Sequence, residues 1–201
     1  MKKLLLVIGF LTVAIFLHSD EFLLFAGDAY VYNDVFKNFN EAKYAFKYDD
    51  KDEVFYLFVT DIFNKAWIVI TPEQLAILRN NLAKYIEWEK TAIANKVKIE
   101  KEIPNSAIKT KVVWQFGDEW YKASNLSLSF VFFSQSIARH QLVIDSNKVK
   151  SSTNEFVTFK LDAMYFEKNQ VLAFIKGISE EFISAEIKEY QNKKSAEKLF
   201  Q

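Results

Sequence analysis

Residues 108–133 read IKTKVVWQFGDEWYKASNLSLSFVFF, and this stretch decides the fold class. Apolar and polar residues alternate in 108–116 and again in 126–133, and Gly117 and Asp118 stand between the two runs. A period of two is the pattern of a strand with one buried face, and a Gly-Asp pair suits the tight turn of a hairpin. The stretch therefore predicts antiparallel strands that share one apolar face.

Further segments along the chain have strand patterns, either alternating or continuously apolar. They are residues 42–48, 54–59, 66–70, 140–144 and 156–161. Consecutive strands joined by short turns favour an antiparallel meander. We therefore expect an α+β domain with a mainly antiparallel sheet of about six to seven strands. Residues 21–39 space their aromatic and aliphatic residues irregularly and give no clear element.

The residues Thr71-Pro72-Glu73-Gln74 are a helix start signal. The Thr71 hydroxyl can accept from the backbone N–H three residues on while the Gln74 side chain reaches back, and Pro72 loses no hydrogen bond at the first helical position. Apolar residues then recur at three-and-four spacing: Leu75, Leu78, Leu82, Tyr85, Ile86, Ile93 and Val97. We expect a long central helix over about 72–101 that packs on the sheet, with docking of a partner as the alternative use of its apolar stripe.

The C-terminal region predicts two more helices. Residues 170–176 have a helical pattern that Gly177 would end, and Ser179 can cap a last helix with acidic residues in its first turn. We expect these helices to pack on the same sheet. Residues 191–201 are expected to form a fraying helical tail.

The N-terminus has the layout of a secretory signal. Two lysines precede an apolar run at 4–17, and polar residues return at His18. The run is shorter than the roughly 20 apolar residues that a transmembrane helix needs, so we expect it to be cleaved. Cleavage after Ser19 fits best, and cleavage after Ala26 is a second possibility. An uncleaved membrane anchor at 4–17 is the alternative.

This leader sets the predicted domain organisation and location. Cleavage after Ser19 gives a signal peptide at 1–19 and a single globular domain at 20–201. The expected location is extracytoplasmic, either periplasmic or secreted, and membrane contact is expected only through a retained leader.

Composition excludes several classes of protein. The chain has no cysteine, so it forms no disulfide, has no Cys-ligated metal and lacks the cysteine that lipid attachment needs. Its 26 basic and 26 acidic residues balance, which gives no electrostatic footprint for nucleic acid. The chain also lacks a glycine-rich phosphate loop. We therefore expect no cofactor, no metal and no nucleic-acid partner.

Candidate catalytic residues are few. His140 is the only histidine beyond the leader, and its position in a predicted strand favours a structural histidine. Asp118 and Glu119 could supply the two carboxyl groups of a glycosidase, although an acidic hairpin turn is the competing interpretation.

Aromatic residues supply the candidate ligand-binding positions. Trp114, Trp120 and Tyr121 flank the two acids in sequence, and Trp67 lies in another predicted strand. Such rings could form a platform for a sugar or an apolar ligand, or they could simply fill the core.

These observations favour a non-enzymatic exported protein. We expect it to bind a partner protein, or an apolar or carbohydrate ligand, in the cell envelope. The alternative is a glycosidase-like hydrolase that uses the acids at Asp118 and Glu119.

Overall fold

The computed structural model describes residues 21–33, 36–60 and 65–200. In chain order the strands are β1 (Glu21–Asn33), β2 (Asn38–Asp49), β3 (Val54–Thr60), β4 (Lys65–Ile70), β5 (Glu100–Glu102), β6 (Ile108–Phe116), β7 (Glu119–Ser134), β8 (His140–Ser146), β9 (Val149–Lys150), β10 (Thr158–Phe159) and β11 (Met164–Glu167). The helices are α1 (Pro72–Asn95), α2 (Lys168–Gly177) and α3 (Glu180–Glu197), and a 3₁₀ turn follows at Lys198–Phe200. The predicted leader at 1–19, with its possible anchor at 4–17, lies outside the described residues.

Eight of these strands close into an antiparallel barrel. Their order is β7-β6-β4-β3-β2-β1-β11-β8, and β8 pairs back to β7. β5 extends the edge of β7, while β9 and β10 form a separate ribbon. The seam between β1 and β11 consists of two residue pairs, Tyr30 with Tyr165 and Val31 with Met164. The barrel is therefore closed, but this seam is short.

Connections between strands gather at the two ends of the barrel, because neighbouring strands run in opposite directions. One end, which we call the helix end, holds α1, α2 and α3 together with the β2–β3 and β7–β8 turns. The other end, the loop end, holds the β1–β2 and β6–β7 turns and residues 147–163.

The inward-facing side chains fill the barrel. Phe46, Leu57, Ile68 and Val112 form one row across β2, β3, β4 and β6, and each is at most 2% exposed. A barrel of about eight strands is just wide enough for its own side chains to fill the interior. The core of this protein is therefore the inside of the barrel.

Both ends of this core are covered. At the helix end, Tyr85 of α1 packs on Phe132 of β7 with 5.7 Å between ring centres. At the loop end, Phe159 of β10 stacks on Trp114 of β6 at 5.4 Å. The described residues therefore fill the barrel and cover both of its ends.

The predicted architecture, a mainly antiparallel sheet of about six to seven strands with a long central helix, is wrong, because eight strands close into a barrel. The sheet closes on itself because the chain contains two barrel strands, β1 and β11, that the sequence pattern did not indicate. β1 has a register shift between Leu23 and Phe25, which breaks the alternation of its side chains. β11 has only four residues. In addition, the predicted strand at 156–161 contributes only the two-residue β10.

The helix prediction was right about the start of α1 and wrong about its end and position. The Thr71 N–H donates to Gln74 Oε1 at 2.9 Å and the Gln74 N–H donates to Thr71 Oγ1 at 3.3 Å, so the capping box is present. The helix stops at Asn95, short of residue 101, because Lys96 takes the left-handed conformation with a φ of 52°. α1 covers the helix end of the barrel instead of lying centrally on a sheet.

Gly177 at the end of α2 is required by a close approach to β1. A Cβ atom at this position would lie 2.6 Å from the Phe25 ring, well inside van der Waals contact. The glycine therefore lets α2 pack directly against β1.

We predict that Gly177→Ala lowers the free energy of unfolding by roughly 1–3 kcal/mol, because overpacking outweighs the better helix propensity of alanine. Urea denaturation measures the change. In a Phe25→Leu background, where the ring is gone, the cost of Gly177→Ala should shrink or reverse. A stabilising effect of Gly177→Ala in the otherwise unchanged protein would contradict the prediction.

Candidate functional site

His140 is buried at the start of β8, where its hydrogen bonds are structural. Its Nδ1 lies 2.7 Å from Ser134 Oγ, its ring stacks on Phe132 at 5.4 Å, and its carbonyl oxygen accepts from the Tyr85 hydroxyl at 2.8 Å. Its Nε2 has no hydrogen-bond partner among the described residues. Since Ser134 and His140 are both almost fully buried, a substrate could reach this pair only if the core opened.

Asp118 and Glu119 lie at the tip of the β6–β7 hairpin. Gly117 takes a φ of 62° there, as the tight turn requires, and both acidic side chains are exposed. Glu119 accepts a hydrogen bond from the Tyr121 hydroxyl at 2.5 Å, which uses one of its oxygens within the hairpin. The two carboxyl groups thus project from a turn and do not face each other across a cleft.

The predicted aromatic positions are divided between the inside and the outside of the barrel. Trp114 is 1% exposed and stacked in the core, whereas Trp120 is 46% exposed next to the hairpin tip. Tyr121 is partly buried beside Phe116. The structure therefore separates Trp114 and Trp120, and no shared ring platform forms around the acids.

Trp67 lies on the outer face of β4, two strands away from Trp120. Its ring packs on Phe58 at 4.6 Å between ring centres, and the Lys47 ammonium lies 4.3 Å from the ring centre of Trp67. Lys47 also pairs with Glu21 at 3.7 Å. The cation already occupies one face of the indole, which makes this ring a poor stacking surface for a sugar.

A groove that the sequence did not predict lies between β1 and α2. β11 leaves the sheet at Glu167, and the chain continues as α2 beside β1. Among the described residues, no strand pairs with the outward edge of β1 between residues 22 and 29. The resulting groove has a volume of about 430 Å³ and is lined by Phe25, Ala26, Gly27, Asp28, Tyr44, Asn169, Gln170, Ala173, Lys176, Gly177 and Phe182. Its volume falls in the usual range for ligand sites, roughly 300–1,000 Å³.

Small residues keep this groove open. A Cβ atom on Gly27 would lie 2.6 Å from the Tyr44 hydroxyl, so the glycine allows the phenol to lie across β1. On the opposite wall, Ala173 presents only a methyl group. A glycine isolated in an aromatic strand often marks a close approach of this kind, and Gly27 was the one sequence signal for the groove.

The walls of the groove are apolar, and polar groups stand along its rim. Phe25 packs on Phe174 at 5.6 Å and thereby fixes the aromatic wall to α2. Burial raises the pKa of Tyr44 far above its usual range, and the Asp28 carboxylate raises it further. The Tyr44 phenol is protonated at neutral pH, as an ordinary tyrosine also is, and can donate a hydrogen bond. Lys176 has no ion-pair partner among the described residues.

The described residues hold neither a metal cluster nor a spanning helix. Nowhere in 21–33, 36–60 and 65–200 do three His, Asp or Glu side chains come together as a metal site. In the same part of the chain, no helix has the length and apolar character needed to cross a bilayer. The chain matches no protein-family profile, no curated protein and no solved structure.

Several tyrosines have hydroxyl groups whose pKa is raised. Burial, followed by the charges of nearby carboxylates, raises the pKa of Tyr56 to about 12, and burial raises those of Tyr44 and Tyr85 still further. In an unfolded chain these phenols ionise near a pKa of about 10. The folded state therefore loses stability as pH rises above about 10, because the unfolded chain releases protons that the folded chain retains.

We predict that the urea midpoint is constant from neutral pH to about pH 9 and then falls steeply. Absorbance at 295 nm should show that several of the nine tyrosines ionise only together with unfolding. In the Tyr56→Phe variant, the urea midpoint should fall less between about pH 10 and 12 than it does in the unaltered protein. The midpoint of the same variant at neutral pH is the reference for this fall. Complete tyrosine ionisation in a still folded protein at about pH 11 would disprove this account.

Proposed function

We propose that this chain is an exported, non-enzymatic protein of the cell envelope that binds an extended polypeptide segment at the open edge of β1. The observation that carries the proposal is this strand edge, which has no strand partner among the described residues over positions 22–29 and borders a groove. Two further arguments, from hydrogen bonding and from the leader, support it.

Hydrogen bonding favours a polypeptide over a lipid or another apolar ligand. In a strand that is paired on one side, every second residue directs its N–H and C=O groups toward the open side. An extended peptide satisfies these groups by adding a strand, with side chains of alternate residues entering the groove. An apolar ligand would leave them unpaired, at a cost of about 1–3 kcal/mol for each buried group. Because Ala26, Gly27 and Ala173 have small side chains or none, the groove has space for a peptide backbone.

The contacts of β1 favour cleavage after Ser19 over cleavage after Ala26. The cut after Ser19 keeps every described residue of β1, Glu21–Asn33. A cut after Ala26 would remove Phe22, which stacks on Tyr190 of α3 at 4.2 Å, and Phe25, which packs on Phe174. Loss of both aromatic contacts would weaken the packing of α2 and α3 on the barrel.

We predict that the chain, expressed with its leader in a bacterium, is recovered from the periplasmic or secreted fraction as residues 20–201. Intact-mass measurement identifies the cleavage site. A Leu17→Ala variant places a small residue where signal peptidase prefers one and should be cleaved more completely at the same bond. A product that begins at Gly27, or an intact chain in the membrane fraction, would refute the proposed processing.

The groove is tested with a peptide selected on the protein from a displayed library of random peptides and then labelled with fluorescein. We predict that Ala173→Trp, which fills the groove, weakens binding of this peptide at least about tenfold, or about 1.4 kcal/mol. Leu172→Trp is the matched control, because Leu172 is the neighbouring residue on α2, is exposed and does not line the groove.

Amide hydrogen exchange locates the bound peptide. Strand addition should slow exchange in β1, at Ala26, Gly27 and Asp28, when the peptide binds. Recovery of no binding peptide, equal affinity of both tryptophan variants, or protection confined to another part of the chain would count against the proposal.

A further inference from the structure

The exposed aromatic residues are concentrated at the loop end of the barrel. Seven aromatic side chains of the described residues are prominently exposed, and six of them lie at or beside the loop end: Tyr32, Phe36, Phe39, Phe116, Trp120 and Phe156. The seventh, Phe200, follows α3. The exposed aliphatic residues show the opposite distribution and lie toward the helix end: Leu23, Ile93, Val97, Ile99, Ile137, Leu172 and Leu199.

The most exposed of these rings stand on three separate connections. Phe36 is 74% exposed in the β1–β2 turn, Phe116 is 61% exposed at the β6–β7 turn, and Phe156 is 89% exposed between β9 and β10. Each of these connections joins either two strands of the barrel or the two strands of the ribbon that covers its loop end. Phenylalanine side chains on a membrane-binding surface enter the boundary between headgroups and acyl chains to a depth of about 5–10 Å, and tryptophan and tyrosine side chains settle at the headgroup level.

We infer that the loop end is a surface that docks on a phospholipid bilayer by inserting its aromatic side chains into the interface. Tyr32 and Phe39 pack on each other with 5.1 Å between ring centres, but Phe36, Phe116 and Phe156 stand on three different connections. The six rings therefore do not form the single packed core that a protein partner buries. Most of them are phenylalanine, which has no hydroxyl or N–H for a sugar. The fluid interface of a bilayer can bury rings that stand apart from one another, because lipids rearrange around each of them. A bilayer therefore fits this surface better than a folded protein partner does.

The charges at the loop end indicate how the bilayer is recognised. The lysines at this end include Lys37, Lys65, Lys122, Lys148, Lys150 and Lys160, and the acidic residues include Asp118, Glu119, Asp145, Glu155 and Asp162. Neither sign dominates. Docking therefore depends on burial of the rings and not on attraction to anionic lipids, which would require a cluster of basic residues. It should occur on neutral lipid and persist at high salt, where electrostatic attraction is screened.

This surface is separate from the groove and from any retained anchor. The groove lies beside α2, and a retained leader would join the domain at Glu21, which is at the helix end. The loop end would then point away from the membrane that holds the leader. The form that docks is the cleaved chain, residues 20–201.

The test measures sedimentation of residues 20–201 with vesicles of phosphatidylcholine alone and with vesicles that also contain phosphatidylglycerol, each at low and high salt. We expect similar binding to both vesicles at both salt concentrations. Phe116→Ser and Phe156→Ser should each weaken binding roughly tenfold, since each removes an exposed apolar ring from the interface. Brominated phosphatidylcholine should quench fluorescence from Trp120, and this quenching should disappear in Trp120→Phe.

Phe200→Ser is the matched control, because it removes an equally exposed ring at the opposite end and should leave vesicle binding unchanged. Ala173→Trp should also leave it unchanged, which separates this surface from the groove. Circular dichroism checks that each variant is folded. Failure of the unaltered protein to bind phosphatidylcholine, binding that requires anionic lipid and is lost in high salt, or an equal loss in Phe200→Ser would overturn the inference. Retention on cellulose that depends on Trp120, without vesicle binding, would assign the rings to a glycan instead.

Discussion

The packing of Phe174 against β1 holds together the part of the barrel that strand pairing does not close. β1 and β11 share only two residue pairs, and beyond them the chain turns away as α2. Phe174 then takes the place of the missing pairs, with its ring centre 5.6 Å from that of Phe25, 5.1 Å from Tyr44 and 6.0 Å from Phe166. A helix that covers a strand edge protects it from uncontrolled pairing. Here the cover is incomplete, and the groove is the space that remains.

The filled interior of the barrel limits where a ligand could bind. Binding inside the barrel would require a cavity, but side chains fill the described barrel, and α1 and residues 147–163 cover its ends. Polar interactions fasten that cover: Lys168 Nζ lies 2.8 Å from Glu89 Oε2, and Arg79 Nε donates to the Ile178 carbonyl at 2.6 Å. Both proposed binding surfaces, the edge of β1 and the aromatic loop end, accordingly lie on the outside of the barrel.

The sequence predicted those features of the fold that depend on neighbouring residues and missed those that depend on distant ones. Alternation located the strands around Gly117 because each of them has one face in the core, and the Thr71 capping box located the start of α1. Closure of the barrel could not be predicted, because it depends on the pairing of β1 with β11, which are more than a hundred residues apart in sequence. In addition, a bulge in β1 breaks the alternating pattern by which a strand is recognised. The arrangement of the candidate site residues could not be predicted for a related reason. Alternation in β6 could have placed Trp114 inside, but only the closed barrel shows that Trp120 faces out.

The abundance of phenylalanine does not explain where the exposed rings lie. A chain with 20 phenylalanines will expose some of them, and a compositional bias alone would distribute them over both ends of the barrel. Phe116 and Phe156 leave most of their surface in water and contribute little to the core, whereas Phe39 packs on Tyr32 and Tyr165. Singly exposed rings are common on protein surfaces, so the feature that needs an explanation is their concentration at one end and not the exposure of any one ring. A surface that buries them together, as the inferred docking on a bilayer does, accounts for this concentration.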